Sequence, residues 1–295
     1  METLIPPDSS LPFHPDADDL DNNATFKAEQ EAQFARNRTG FLTIASGNAA
    51  GFIPLPVIAP TAFAGIASRY ESQDAAAYLP AGIDATVVAG YKAQKAALAR
   101  AMRSTGSAWY NNFHRGGHFA GGTIFLHPLS RGTVTLNLAN PYFARPAVDY
   151  RALTNPADLD VLYEFNHFTR RFYTQTRLAR FNPVELPPYA NLTTNAQLET
   201  AIRANLNPSS FHPVGTAAML PRELGGVVDD KLLVYGVSRL SVVDASVIPD
   251  LPGAYTQQTV FAIAEKVSSP SPSPPPSSPA AGRLFCFLAC SPSWS

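Results

Sequence analysis

The chain of 295 residues contains only two cysteines, Cys286 and Cys290, and both fall at its C-terminal end. Two sulfurs placed there cannot staple the main body, and two alone do not complete a tetrahedral zinc site. Charge is scarce as well: charged residues make up 15% and the formal net charge is -1, which excludes the cationic surface that nucleic-acid binding requires. No apolar run approaches the roughly 20 residues needed to span a bilayer, so no membrane segment is expected. The opening METLIPPDSS has neither a basic start nor an apolar stretch, so no signal peptide is expected there. Among the 18 glycines, no two are separated by a single residue. A dinucleotide-binding βαβ unit needs such closely spaced glycines, so that backbone can approach a pyrophosphate at a helix N-terminus. Nothing in this chain meets that need.

What is present suits a folded protein: 45% of residues are apolar, enough for one large core or two modest ones. Residues 23–38 are rich in Ala, Glu, Gln and Arg and predict a helix. Residues 40–60 read as loop and short extended pieces, and 85–103 as a proline-free helix. Residues 123–126 and 133–138 predict strands; Val134, Leu136 and Leu138 alternate with polar residues, which implies one buried face. The turn at 128–132 between them predicts an antiparallel pair. Asn155, Pro156 and Asp158 open a further helix, whose Leu159, Leu162 and Phe165 share a buried stripe with Asn166 and His167 just off it. Residues 241–248 read as a strand and 256–266 as a helix start. Residues 268–282 are almost wholly Ser, Pro and Ala, a composition that can neither continue a helix nor build a core.

Chemistry-bearing residues concentrate near the end. Phe211-His212-Pro213-Val214-Gly215-Thr216-Ala217-Ala218-Met219 is followed by Gly225-Gly226-Val227-Val228-Asp229 and Val234-Tyr235-Gly236-Val237. Next come Val242-Val243-Asp244-Ala245-Ser246-Val247-Ile248-Pro249, Pro252-Gly253-Ala254-Tyr255-Thr256-Gln257-Gln258-Thr259-Val260 and Ala262-Ile263-Ala264-Glu265-Lys266. A second block, His127-Pro128-Leu129-Ser130-Arg131-Gly132-Thr133-Val134 with Asn140-Pro141 and Val148-Asp149, precedes them. In this order and at this spacing the series resembles the C-terminal signature of the glucose–methanol–choline (GMC) oxidoreductases, fungal enzymes of the aryl-alcohol oxidase and glucose oxidase type among them. The likeness covers most of residues 41–266.

The resemblance implies an α+β fold with some α/β character: a substrate-binding domain with antiparallel sheet and helices, plus the last strand and helix of an FAD-binding domain. It divides the chain into a polar, partly helical segment (1–40), a substrate-binding domain (41–205), the C-terminal signature (206–267) and a Ser/Pro-rich tail expected to be disordered or aberrant (268–295). The cofactor implied is FAD, although the missing glycine pattern makes binding by this chain alone doubtful. The substrate implied is a small alcohol, with secondary metabolism or lignocellulose turnover as the setting.

Flavin-dependent alcohol oxidation moves a hydride from carbon to flavin and needs a base for the hydroxyl proton. A neutral imidazole suits that task, and His212 stands where the family keeps its catalytic histidine. The family usually sets a second His or Asn opposite; here Tyr255 occupies that position, a hydrogen-bond donor and a poor proton acceptor. Asp244 and Ala245 resemble the segment meeting the ribityl and pyrophosphate region. Thr256 and Gln257 would open a helix whose positive end faces the flavin pyrimidine. Read as an isolated residue, Asp244 is equally a turn cap.

Tyr255 keeps open a non-redox cyclase or dehydratase, and the missing glycine pattern keeps open an inactive remnant. His114, His118 and Asp84 lack a third ligand at metal spacing, so no metal is expected. Trp109, Tyr110, Phe113, Phe119 and Phe125 are either the wall of an aromatic pocket or plain core. Sequons at Asn23, Asn37 and Asn191 point towards a secreted parent. Val267-Ser268 can be encoded by the consensus start of an intron, so the residues from Val267 onward are expected to be translated from an unspliced intron, with Cys286, Cys290 and Trp294 playing no part in function.

Overall fold

The computed structural model of the protein describes residues 3–4, 17–44, 49–114, 120–268 and 284–286. In chain order its elements are β1 (Thr3–Leu4), α1 (Ala17–Asn22), α2 (Ala24–Asn37), β2 (Ala49–Pro54), α3 (Leu55–Ile58), α4 (Phe63–Ser72) and α5 (Ala85–Met102). Then come β3 (Ala108–His114), β4 (Ala120–Phe125), β5 (Thr133–Thr135), β6 (Ala147–Asp149), α6 (Ala157–Thr174), β7 (Val184–Glu185) and α7 (Asn195–Asn205). The last are β8 (Leu240–Val242), α8 (Thr256–Ser268) and β9 (Leu284–Cys286). Helices with small, mostly antiparallel sheets are the α+β arrangement expected. The elements gather into two units that interleave along the chain. One takes Met1–Ala64, Ser104–Leu126 and Leu159–Leu206; the other takes Gly65–Arg103, His127–Asp158 and Asn207–Ser295.

In the first unit, α2 begins where a short polar side chain can cap it: Asn23 Oδ1 accepts the Phe26 amide at 3.0 Å. A five-stranded sheet runs in the order β2-β3-β4-β1-β7, with every neighbouring pair antiparallel. β3, which the sequence reading did not anticipate, carries Trp109 and Tyr110, and both are fully buried. Tyr110 packs edge-on against Phe165 at 5.0 Å and Phe168 at 5.4 Å, and Trp109 lies 6.4 Å from Phe125. Trp109 and Tyr110 are therefore core, with half-buried Phe125 against them; the Phe113 side chain, Phe119 and His118 lie outside the described residues. A hydrogen bond of 2.7 Å between the Tyr110 and Thr169 hydroxyls joins β3 to α6.

In the second unit, Asp84 caps α5 by accepting the Thr86 amide at 2.8 Å, which gives this residue a helix-capping role. Lys95, buried on α5, donates to the carbonyls of Tyr70 at 2.8 Å and Gln73 at 2.6 Å, at the C-terminal end of α4. A cation placed there satisfies carbonyls that the helix itself leaves open.

The expected pairing of 123–126 with 133–138 is not what forms. β4 pairs with β3 and β1, whereas β5 pairs with β6 through Thr133↔Asp149 and Thr135↔Ala147. The alternating residues are exposed instead of buried: Val134 by 48%, Leu136 by 65% and Leu138 by 87%. Two features of residues 129–132 account for the difference. Buried Asp158 accepts the amides of Leu129 at 2.7 Å and Ser130 at 3.1 Å, tying the turn to the first residues of α6. At Gly132 a Cβ would meet the Asp149 carbonyl oxygen at 2.2 Å, so only glycine lets the two backbones approach. On α6, Asn166 proves buried, its amide nitrogen donating to the Leu162 carbonyl at 2.8 Å.

β8 is shorter than the strand expected over 241–248, because Asp244 caps a 3-10 turn at Ala245–Val247. The apolar core around it comprises Ala217, Val228, Leu232, Val242, Val243 and Val247, with Ile263, Ala264 and Val267 packed against it. Val267, the last residue of the expected C-terminal signature, thus contributes to packing. β9 lies parallel to β8, Leu240 opposite Leu284 and Val242 opposite Cys286. An open strand edge pairs readily with an extended segment. Cys290 and Trp294 lie outside the described residues.

Candidate functional site

His212 belongs to the segment that runs into the core cluster. The Ala217 amide donates to the Ser246 carbonyl at 3.0 Å, and the Met219 amide to the Val247 carbonyl at 2.8 Å. The segment therefore rides on the turn after β8. Gly215, with φ of 87°, supplies the backbone conformation that lets it bend there. Phe211 adopts a φ of 63° with its side chain 78% exposed, a strained geometry for a bulky residue directly before the histidine.

Residues 44 apart then meet. His212 Nδ1 and Thr256 Oγ1 are 2.6 Å apart, with Thr256 buried and His212 half-buried. The rings of His212 and Tyr255 lie 5.7 Å apart and inclined by 30°. Burial lowers the His212 pKa below 6.5, so its imidazole stays neutral to lower pH than a free one. Burial raises that of Tyr255, so its phenol keeps its proton. The pair is an acceptor beside a donor.

The remaining sequence candidates fall close along the chain but in different roles. Asp244 Oδ1 accepts the Ser246 amide at 2.9 Å and the Ser246 hydroxyl at 2.5 Å, the turn-capping geometry. Ala245 is half-buried in the turn that follows. Gln257 is exposed on the first turn of α8. Thr256, expected at a cofactor, turns its hydroxyl to His212. Sequence reading missed Arg131, Asp250 and Gln94, which hold the loop leading to Tyr255. Arg131 Nη2 donates to Asp250 Oδ1 at 3.0 Å, and Gln94 Nε2 to the Pro249 carbonyl at 2.9 Å. No periodicity or motif signals contacts across such separations. Among the described residues no group of three His, Cys, Asp or Glu side chains is placed to hold a metal, and no helix is long and apolar enough to cross a membrane.

This arrangement of a histidine, a following turn and the helix that returns to it is the C-terminal domain of a flavoenzyme family. Residues 128–264 match the family model described as GMC oxidoreductase. The chain belongs to the GMC oxidoreductase family. Its relatives include the dehydrogenase xptC of Emericella nidulans, 30% identical over 255 residues, which cover 83% of this chain and 40% of that protein. Among solved structures, an FAD-dependent oxidoreductase from Chaetomium thermophilum superposes with a TM-score of 0.82 at 32% identity, over 90% of this chain and 46% of that one. A fungal aryl-alcohol oxidase gives a TM-score of 0.81 at 34% identity, over 86% of this chain and 43% of that one. The chain thus spans under half the length of each of these relatives.

Proposed function

We propose that this chain carries the proton-handling side of an FAD-dependent oxidation of small alcohols, with His212 as the base. The observation that carries the proposal is the 2.6 Å contact between His212 Nδ1 and Thr256 Oγ1. If Nδ1–H donates to the threonine oxygen, the lone pair of Nε2 is left to accept the hydroxyl proton of a substrate. Thr256 then fixes tautomer and ring orientation together. Tyr255, protonated and beside the ring, is suited to donate to the oxygen that loses its proton. Bound FAD would supply the acceptor for the hydride leaving the alcohol carbon.

The residues here fit the reactive end of that cofactor better than its phosphates. The N-terminus of the 13-residue helix α8, with Gln257 exposed on it, offers backbone donors and a positive dipole end beside His212. No Gly-x-Gly occurs to receive the pyrophosphate. The likeness to a fungal aryl-alcohol oxidase supports an aromatic alcohol as the substrate class. The buried aromatic cluster of the first unit lends that choice no support. The exposed sequons at Asn23, Asn37 and Asn191 accord with a secreted parent.

A second reading, a non-redox cyclase or dehydratase, draws on Tyr255, whose retained proton would serve as a general acid. One experiment separates the two. The chain is joined to an FAD-binding portion in one polypeptide and mixed anaerobically with benzylic alcohols. Bleaching of the flavin absorbance supports oxidation, and His212→Ala is expected to slow it at least ~100-fold while flavin is retained. Unchanged bleaching would remove His212 from the mechanism; no bleaching with any alcohol would leave the non-redox reading.

A further inference from the structure

Outside the His212–Tyr255 pair, one ion pair of this unit is tied into the backbone at both ends. Its first anchor is Asp158, buried, which accepts the Leu129 amide at 2.7 Å, the Ser130 amide at 3.1 Å and the Ser130 hydroxyl at 2.5 Å. Tyr91 adds a bond from its hydroxyl to the Leu129 carbonyl at 2.9 Å. The turn that bears Arg131 is therefore held before Arg131 makes any contact of its own. Arg131 Nη1 donates to the carbonyls of Pro128 at 2.9 Å and Ser130 at 3.2 Å, and its guanidinium lies 5.2 Å over the Tyr91 ring. With its plane so fixed, Nη2 meets Asp250 at 3.0 Å. One residue earlier, Gln94 on α5 holds the Pro249 carbonyl.

Both halves of the candidate site hang on the segment thus gripped. Upstream, the carbonyls of Ser246 and Val247 accept the amides of Ala217 and Met219 in the segment leading back to His212. Downstream, five residues beyond Asp250, stand Tyr255 and then Thr256, whose hydroxyl meets His212. We propose that Arg131, Asp250 and Gln94 are positioning residues, a clamp that sets Tyr255 and Thr256 against His212; the proposal rests on the reading of His212 as the base. An ion pair suits this task better than an apolar contact. A forked guanidinium with fixed partners specifies direction as well as distance, and a misplacement of about 1 Å at a reacting group costs about 100-fold in rate. The side chains of Arg131 and Asp250 are 26% and 27% exposed, so water screens the pair only in part.

The test reads the imidazole and not turnover. The purified chain is labelled with 15N-histidine, and the His212 ring signals are assigned by their loss in His212→Gln. In the parent chain they are expected to show one tautomer, protonated at Nδ1, and a titration midpoint below that of a free imidazole. Arg131→Ala and Asp250→Ala should each raise that midpoint towards the free value, and average the two tautomers. The double variant should add nothing to either single one. Arg131→Lys, which keeps the charge but not the fork, should recover only part of the shift. A fall in melting temperature with an unchanged His212 midpoint and tautomer would overturn the proposal, reducing the pair to a brace. Should Arg131→Ala and Asp250→Ala fail to fold, Gln94→Ala gives the same reading with both charges in place, and an unmoved His212 there overturns it equally. Since neither flavin nor substrate is present, failure of the alcohol-oxidation reading would show in the flavin experiment and not in this one.

Discussion

At the scale of single residues, burial moves two pKa values of the candidate site in opposite directions and favours the neutral form of both groups. His212 is kept neutral and Tyr255 is kept protonated, both by desolvation. On the proposal that His212 is the base, it acts only when neutral, so in a completed enzyme kcat/KM should rise with pH and level off. Because the His212 pKa is lowered, the apparent pKa of that limb should lie below 6.5. A limb at or above 6.5 would argue against His212 as the titrating base. Tyr255 admits a sharper trial. Tyr255→His puts a second imidazole in place of the phenol ring, which lies 5.7 Å from His212, and should preserve or raise alcohol oxidation. Tyr255→Phe keeps the ring and loses the donor, and should lower it. Loss of activity in Tyr255→His but not in Tyr255→Phe would make Tyr255 a packing residue.

At the scale of elements, Asp158 is the point where α6 and the turn at 129–131 depend on each other. Its carboxylate satisfies two backbone amides and one hydroxyl in a buried setting. Asp158→Ala would strand those donors and is expected to cost about 3 kcal/mol, on the scale of buried unsatisfied groups. Asp158→Asn, which keeps an acceptor, should cost less. Urea unfolding measures both, and an Asp158→Ala midpoint equal to that of the parent would show that water replaces the carboxylate. Much of the element layout was legible beforehand. The helices over 23–38 and 85–103 and the helix start at Thr256 were read because helix formation depends on near neighbours, whereas the capping roles of Asn23 and Asp84 came from the structure. β3 was missed since its pairing with β2 and β4 is set by residues far away in the chain.

At the scale of the molecule, the question is what a chain under half the length of its relatives can hold. On the proposed reading, His212, Tyr255 and the start of α8 are the end that would meet the flavin ring, whereas no Gly-x-Gly is present for the phosphates. The purified chain should therefore elute colourless from gel filtration after incubation with FAD. A yellow protein with stoichiometric flavin would overturn this. The segment following β5 is the other notable feature. Leu138, Tyr142 and Phe143 are each nearly nine-tenths exposed or more, an unusual cost for apolar side chains in water.

The sequence by itself determined the family, the position of the histidine, the absence of a phosphate-binding glycine pattern and the starts of several helices. Those features are local or are ordered motifs, and need no knowledge of which distant residues meet. Tertiary structure alone decided the rest. Val134, Leu136 and Leu138 alternate as a buried strand would, yet they are exposed because β5 pairs with β6. Asp158 looked like a favourable charge in a helix's first turn and is instead the anchor of a turn 28 residues earlier. Thr256 bonds His212 across 44 residues, and Arg131 meets Asp250 across 119. Hydrophobic periodicity sets how a segment folds on itself, but only packing selects which partners face one another, because burial and directional bonds reward contacts without regard to separation along the chain.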